Sequence, residues 1–138
     1  VAAKGGMTDK PNYDIEDISF VNITFDNGTI ANIQSACCLS GWGRVKMEVF
    51  GRDLVADVTQ GRATFTTGPD QTEEIKSTGN PYQTEDRIFI DAVKSGDGSA
   101  IRAPYADAVE TQKIMIAATR SMDSGKLVFI QNDQLVIA

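Results

Sequence analysis

The chain has 138 residues with 41% hydrophobic and 23% charged side chains, enough for one globular domain and unlike a disordered or fibrous chain. Its formal charge of -6 and pI of about 4.5 speak against nucleic acid, whose binding rests on neutralised phosphates, and against an anionic membrane surface. No apolar run approaches the roughly 20 residues of a membrane span.

The opening Val1-Ala2-Ala3-Lys4-Gly5-Gly6 is too short and too polar for a signal peptide and reads as if it began within a strand. The loop from Met7 to Asp14 follows. It is long enough to reach an active site, and Lys10, Tyr13 and Asp14 could hydrogen-bond a polyol; a solvated connection is the other reading. Glu16 and Asp17 are adjacent on a predicted strand, so they diverge and do not form an acid–base pair.

Val21, Ile23 and Phe25 alternate with Asn22 and Thr24, the period of a half-buried strand. Asp26-Asn27-Gly28 then signals a hairpin. A two-residue loop at Asn27-Gly28 would pair Phe25 with Ile30. A three-residue loop with Gly28 left-handed pairs Phe25 with Thr29. It also places Val21, Ile23 and Phe25 on one face with Ala31 and Ile33. A slip by one residue would turn every side chain over, so the apolar pattern favours the three-residue loop.

Cys37 and Cys38 fall in the following predicted strand, where neighbours point to opposite faces and do not share a metal. Free thiols fit a reducing compartment, and the location read from the sequence is cytoplasmic. The chain has no His, which excludes Ser-His-Asp and Cys-His catalysis and weakens any zinc site. The two sequons at Asn22 and Asn27 are read as chance.

Trp42 is the sole tryptophan, set between Gly41 and Gly43 and followed by Arg44. A flat ring there can form the floor of a sugar site, with Arg44 binding hydroxyl or carboxylate. Packing of Trp42 at a sheet edge or subunit interface is the alternative. Val45, Met47 and Val49 then face one way, Arg44, Lys46 and Glu48 the other, and Gly51-Arg52-Asp53 reads as a turn. Leu54, Ala56 and Val58 form another short strand, followed by weaker ones at 62–67 and 72–76. Short turns between consecutive strands imply antiparallel pairing.

Asn80-Pro81 opens a helix that carries Phe89, Ala92 and Val93 on one face and stops at Gly96. Pro104 opens a second. Its mostly apolar stripe runs through Tyr105, Ala108, Val109, Gln112, Met115, Ile116, Thr119 and Met122, and Gly125 ends it. Leu127 to Ile130 and Leu135 to Ile137 read as final strands. The fold class is therefore α+β: a largely antiparallel open sheet with helices packed on one face. The other face would carry Phe20, Ile30, Asn32 and Gln34, a mixed surface suited to a partner, or else an ordinary solvated face.

Taken together, several segments resemble the C-terminal domain of the Gfo/Idh/MocA oxidoreductases, the family of glucose-fructose oxidoreductase and inositol dehydrogenase. Glu16-Asp17 with the run Phe20 to Gly28 is similar to that family's acidic pair, strand and F-x-N-G hairpin. Val45 to Gly51 is similar to its i-x-v-x-G strand and turn, and Phe89 to Asp97 to its F-x-x-A-V-x-x-G helix. Tyr105 to Ser121 with Gly125-Lys126 resembles its long second helix and stop. Hairpins and such helices are common singly; the ordered set spans nearly the whole chain.

The resemblance implies that residues 1–138 form a single C-terminal substrate-side and oligomerisation domain. The dehydrogenase would then be NAD(P)-dependent and act on a sugar or polyol. NAD or NADP, and the proton chemistry, would belong to an N-terminal Rossmann domain absent from this chain. Accordingly no catalytic, cofactor-binding or metal residue is assigned here. Gly41-Trp42-Gly43 lacks the third Gly of a dinucleotide turn and leads into a strand, and Asp9-Lys10-Pro11 is not the family's Glu-Lys-Pro. The partners expected are the Rossmann domain and a second copy, as a homodimer or tetramer through the open sheet face. By itself the chain would be inactive. The rival reading is a non-enzymatic α+β module for dimerisation or small-ligand binding.

Overall fold

A computed structural model describes residues 1–6, 12 and 15–138. The chain adopts an α+β fold with antiparallel sheets. Among the described residues there are nine strands in three sheets, with two helices. The chain divides into two compact units, 1–40 with 103–138, and 41–102.

In the first unit, β1 (Ala2–Gly6), β2 (Ile18–Thr24) and β3 (Ile30–Ala36) form an antiparallel sheet in the order β1-β2-β3. The β2–β3 hairpin has the three-residue loop that its apolar alternation favours. Val21 lies opposite Ile33 and Ile23 opposite Ala31. The Phe25 N–H donates to the Thr29 carbonyl at 2.9 Å, and Gly28 has φ +83°. Only a left-handed residue closes this loop, and Gly adopts that conformation without Cβ strain. Cys37 lies beyond β3, where its N–H donates to the Asp17 carbonyl at 2.7 Å. The strand expected to run through both cysteines thus ends at Ala36, because β2, its pairing partner, begins at Ile18. Glu16 and Asp17 precede β2 instead of lying on a strand, the first exposed and the second buried.

Helix α2 (Tyr105–Ser124) covers this sheet. Its buried residues are Ala117, Ala118 and Ser121, with Ile114 half-buried. Val21, Ile23 and Ala118 form a core cluster, with Val1, Ala3, Ala31 and Ile114 around it. The apolar stripe seen in the sequence is not the face turned most deeply inward. Met115 and Ile116 remain 48% and 42% exposed. The small side chains at 117, 118 and 121 let the helix backbone approach the strands, and larger ones would hold it away.

Two short strands complete the unit, β8 (Val128–Gln131) and β9 (Gln134–Ile137), joined by Asn132 and Asp133, both at positive φ. That pair forms the left-handed two-residue turn that suits the right-handed twist of a hairpin. The Val128 N–H donates to the Val1 carbonyl at 2.9 Å, linking β8 to the start of β1. Two residues further along, the Ala3 N–H of β1 donates instead to Ser121 Oγ at 3.0 Å. The same hydroxyl donates to the Lys126 carbonyl at 2.7 Å. On the surface, Lys113 of α2 donates to Asp133 Oδ1 at 2.5 Å and to Glu110 at 2.7 Å.

The second unit holds the sheet β4-β5-β6-β7, from β4 (Lys46–Gly51), β5 (Leu54–Thr59), β6 (Arg62–Gly68) and β7 (Gln71–Lys76). The register places Met47, Val49, Ala56, Val58, Ala63, Phe65 and Ile75 on one face. The other carries Lys46, Glu48, Asp57, Arg62, Glu74 and Lys76. Helix α1 (Pro81–Ser95) follows. The Asn80 side chain accepts from the Tyr82 N–H at 3.0 Å and caps it. Gly96 closes it at φ +73°, donating to the Ala92 carbonyl at 2.9 Å. The helix buries none of its own residues, and Phe89 and Val93 stay exposed.

Two predictions follow from the first unit. Ser121→Ala leaves a half-buried N–H and a carbonyl without their partner and destabilises the chain by about 1 kcal/mol. Urea denaturation should show a lower midpoint with an unchanged slope. The second concerns the surface pair. The Lys113 ammonium holds Asp133 below its ordinary 3.8, and Asp133, with Glu110, raises Lys113 above 10.5. A depressed carboxyl stabilises the fold above its unfolded value and loses that contribution as pH falls through its folded one. A raised lysine does so below its unfolded value and loses the contribution as pH rises through its folded one. The stability difference between wild type and Asp133→Asn should therefore be flat between these limits and shrink at both ends, as denaturation midpoints across pH would record.

Candidate functional site

Trp42 and Arg44 lie in the segment 37–45, which has neither helix nor strand. Gly41 bends it at φ +77°. Trp42 is 72% exposed and Arg44 is exposed as well. Strand β4 begins at Lys46, so Arg44 and Val45 precede it instead of opening it. Lys10, Tyr13 and Asp14 lie outside the described residues. The structure therefore places Trp42 and Arg44 on one accessible loop.

Two shallow depressions occur elsewhere. One follows the surface of α1 from Gly79 to Lys94, and the other lies over Phe65, Thr67 and Gln71. Neither includes Trp42 or Arg44. The Gly41-Trp42-Gly43 turn does not fit a dinucleotide cradle. The loop holding Gly41 and Gly43 enters a strand, whereas a diphosphate cradle opens a helix. At α1 the first free amides are already occupied by the Asn80 side chain. Among the described residues no group of three or more His, Cys, Asp or Glu could hold a metal, and no helix is long and apolar enough to cross a membrane.

Two surfaces have more built character. The first is the face of the β1–β3 sheet opposite α2. Asn32 Nδ2 donates to Asn22 Oδ1 at 2.8 Å, and Gln34 Nε2 donates to Asn32 Oδ1 at 2.9 Å. This amide ladder crosses the β2–β3 pair, in which Asn22 faces Asn32 and Phe20 faces Gln34. Phe20 is 47% and Ile30 78% exposed on the same face. The sequence marks Phe20, Ile30, Asn32 and Gln34 as this face; the hydrogen bonding between the amides depends on the register.

The second surface is the charged face of the β4–β7 sheet. Lys46 Nζ sits 2.8 Å from Asp57 Oδ1 and 2.9 Å from Glu48 Oε1. Hydrogen bonding to Asp57 and then to Glu48 raises Lys46 above its ordinary value. Asp57 Oδ1 is buried and has no hydrogen bond of good angle. The ammonium at 2.8 Å compensates it all the same, because charge attraction depends on distance more than on direction. Arg62, Glu74 and Lys76 make a second group, with Lys76 2.9 Å and Arg62 3.5 Å from Glu74. Their opposite charges pair at the surface, as in an ordinary solvated sheet face.

Neither protein-family models, curated proteins nor solved structures give a match to this chain.

An exposed ring contributes little to folding. Trp42→Ala should change stability by less than about 0.5 kcal/mol, the range of surface substitutions. A loss of about 2 kcal/mol or more in denaturant titration would identify Trp42 as a packing residue and remove it as a ligand candidate.

Proposed function

We propose that this chain is the substrate-side and subunit-interface portion of an NAD(P)-dependent sugar or polyol oxidoreductase. The observation that carries the reading is the sheet face left open opposite α2, where an amide ladder lies beside exposed Phe20 and Ile30. A face with apolar side chains and self-satisfied amides can be buried by a partner at little desolvation cost. The ordered segments from Phe20 to Lys126 supply the enzyme class, by their resemblance to the Gfo/Idh/MocA C-terminal domain.

In this reading a separate Rossmann domain binds NAD or NADP, and the cofactor supplies hydride transfer at a carbon bearing a hydroxyl or carbonyl. This chain's own part is to form a wall of the substrate site. Trp42 would stack on the ring and Arg44 would hydrogen-bond its oxygens, with Lys10, Tyr13 and Asp14 on the earlier loop as further candidates. Two free cysteines, Cys37 and Cys38, support a cytoplasmic location for the same protein.

The open face also favours the second reading, a non-enzymatic dimerisation or small-ligand-binding module. The coding sequence upstream of Val1 separates the two. A frame encoding strand, G-x-G-x-x-G, helix and then Glu-Lys-Pro is the expected result; an adjacent start codon with no such domain would overturn the oxidoreductase reading. The interface is tested by itself. Ile30→Lys should weaken self-association at least tenfold in sedimentation velocity, about 1.4 kcal/mol. An unchanged association state would remove the open face as the interface.

A further inference from the structure

The two thiols, Cys37 and Cys38, are free, the first exposed and the second half-buried. They are adjacent, yet the sheet constrains only one of them. The last β2–β3 backbone bond runs from the Cys37 N–H to the Asp17 carbonyl at 2.7 Å. From Cys38 to Val45 the chain has no helix or strand. The torsions that would bring the two sulfurs together are ψ of Cys37 and φ of Cys38, with the χ1 angles of both side chains. All of them follow that last sheet bond, so turning them breaks no rung of the sheet. Downstream, Gly41 at φ +77° has nothing within 4 Å of where a Cβ would stand, as is also true of Gly43. That open segment can absorb the displacement.

We propose that Cys37 and Cys38 form a reversible dithiol–disulfide modification site, closed by a low-molecular-weight disulfide. One thiolate attacks the small disulfide, forming a mixed disulfide and releasing one small thiol. The neighbouring thiolate then attacks the protein sulfur of that bond, forming the Cys37–Cys38 bond and releasing the second small thiol. The two protein thiols are oxidised by two electrons, the small disulfide is reduced by two, and the protons leave with the small thiols. The ring is strained. Adjacent Cα atoms across a trans peptide are about 3.8 Å apart, below the roughly 4.4–6.8 Å of unstrained disulfides. Strain of this kind makes a bond easy to reduce, which suits a reversible modification and not a structural staple.

The loop also gives the site a consequence. Trp42 lies four residues after Cys38 on the same irregular segment, so whatever displacement Gly41 does not absorb reaches the backbone that carries it. Its effect on substrate binding rests on the role proposed above for Trp42; the thiol chemistry stands on the loop alone.

The chain as it is, incubated with oxidised glutathione, tests this. The expected product is a monomer lighter by two hydrogen atoms, with no free thiol left and both cysteines linked within one peptide. Reduced glutathione should reverse it. Cys37→Ser and Cys38→Ser should each stop at the mixed disulfide. Emission of Trp42, the sole tryptophan, should shift on oxidation of the wild type and stay unchanged in the double Ser variant. A wild type that stops at mixed disulfides, or forms only disulfides between chains, overturns the proposal. A closed ring with unchanged Trp42 emission overturns its reach to the substrate loop.

Discussion

The Ser121 hydroxyl holds the first unit together. It accepts from the Ala3 N–H and donates to the Lys126 carbonyl, and its side chain is almost wholly out of water. Strand β8 meets the start of β1 at Val1 and Val128. At Ala3 the hydroxyl stands where a further strand bond would otherwise lie. A buried backbone group must find a partner or lose about a hydrogen bond's worth of stability. One serine meets that demand for the sheet and for the chain leaving α2 alike. It thereby fixes the height of the helix over the strands, and with it the contact of Ala118 with Val21 and Ile23.

That close approach explains which helix face points inward. Ala117, Ala118 and Ser121 take up little space, so the α2 backbone can lie near the sheet. Met115 and Ile116 then stay partly in water despite their greater hydrophobicity. With one helix seated on one face, the opposite face of β1–β3 has no cover from α2. Its chemistry is neither that of a core nor that of a fully solvated surface, since the amides satisfy one another while Phe20 and Ile30 stay exposed. The β4–β7 sheet has a different surface. Its polar face carries two groups of three charges, of net −1 and +1, in which every charge has an opposite one within 3.5 Å.

Two of the candidate ligand residues, Trp42 and Arg44, and the two thiols share one short stretch of sequence, from Cys37 to Arg44, between β3 and β4. Regular structure spends its backbone groups on itself and holds its side chains in fixed directions. An irregular loop anchored at both ends leaves those side chains accessible, which is why binding groups concentrate there. Here the anchors are the bond from Cys37 to Asp17 on one side and the β4–β5 ladder on the other.

The sequence by itself determined the local structure. Apolar alternation on both strands selected the three-residue hairpin loop over the two-residue one, because a slip would have turned Val21 and Ile23 away from the core. Asn80-Pro81 and Gly96 bounded the first helix, and Pro104 and Gly125 the second, since capping is chemistry between near neighbours. The open-face residues Phe20, Ile30, Asn32 and Gln34 were legible from the same period-2 pattern. Only the tertiary structure decided which face of α2 lies inward, where β3 stops before the cysteines, and that Ser121 closes the unit. Those outcomes depend on how near two distant backbones can come and on which polar groups they leave to satisfy. Hydrophobic periodicity records the sum of apolar preference along a helix; it carries no measure of that distance.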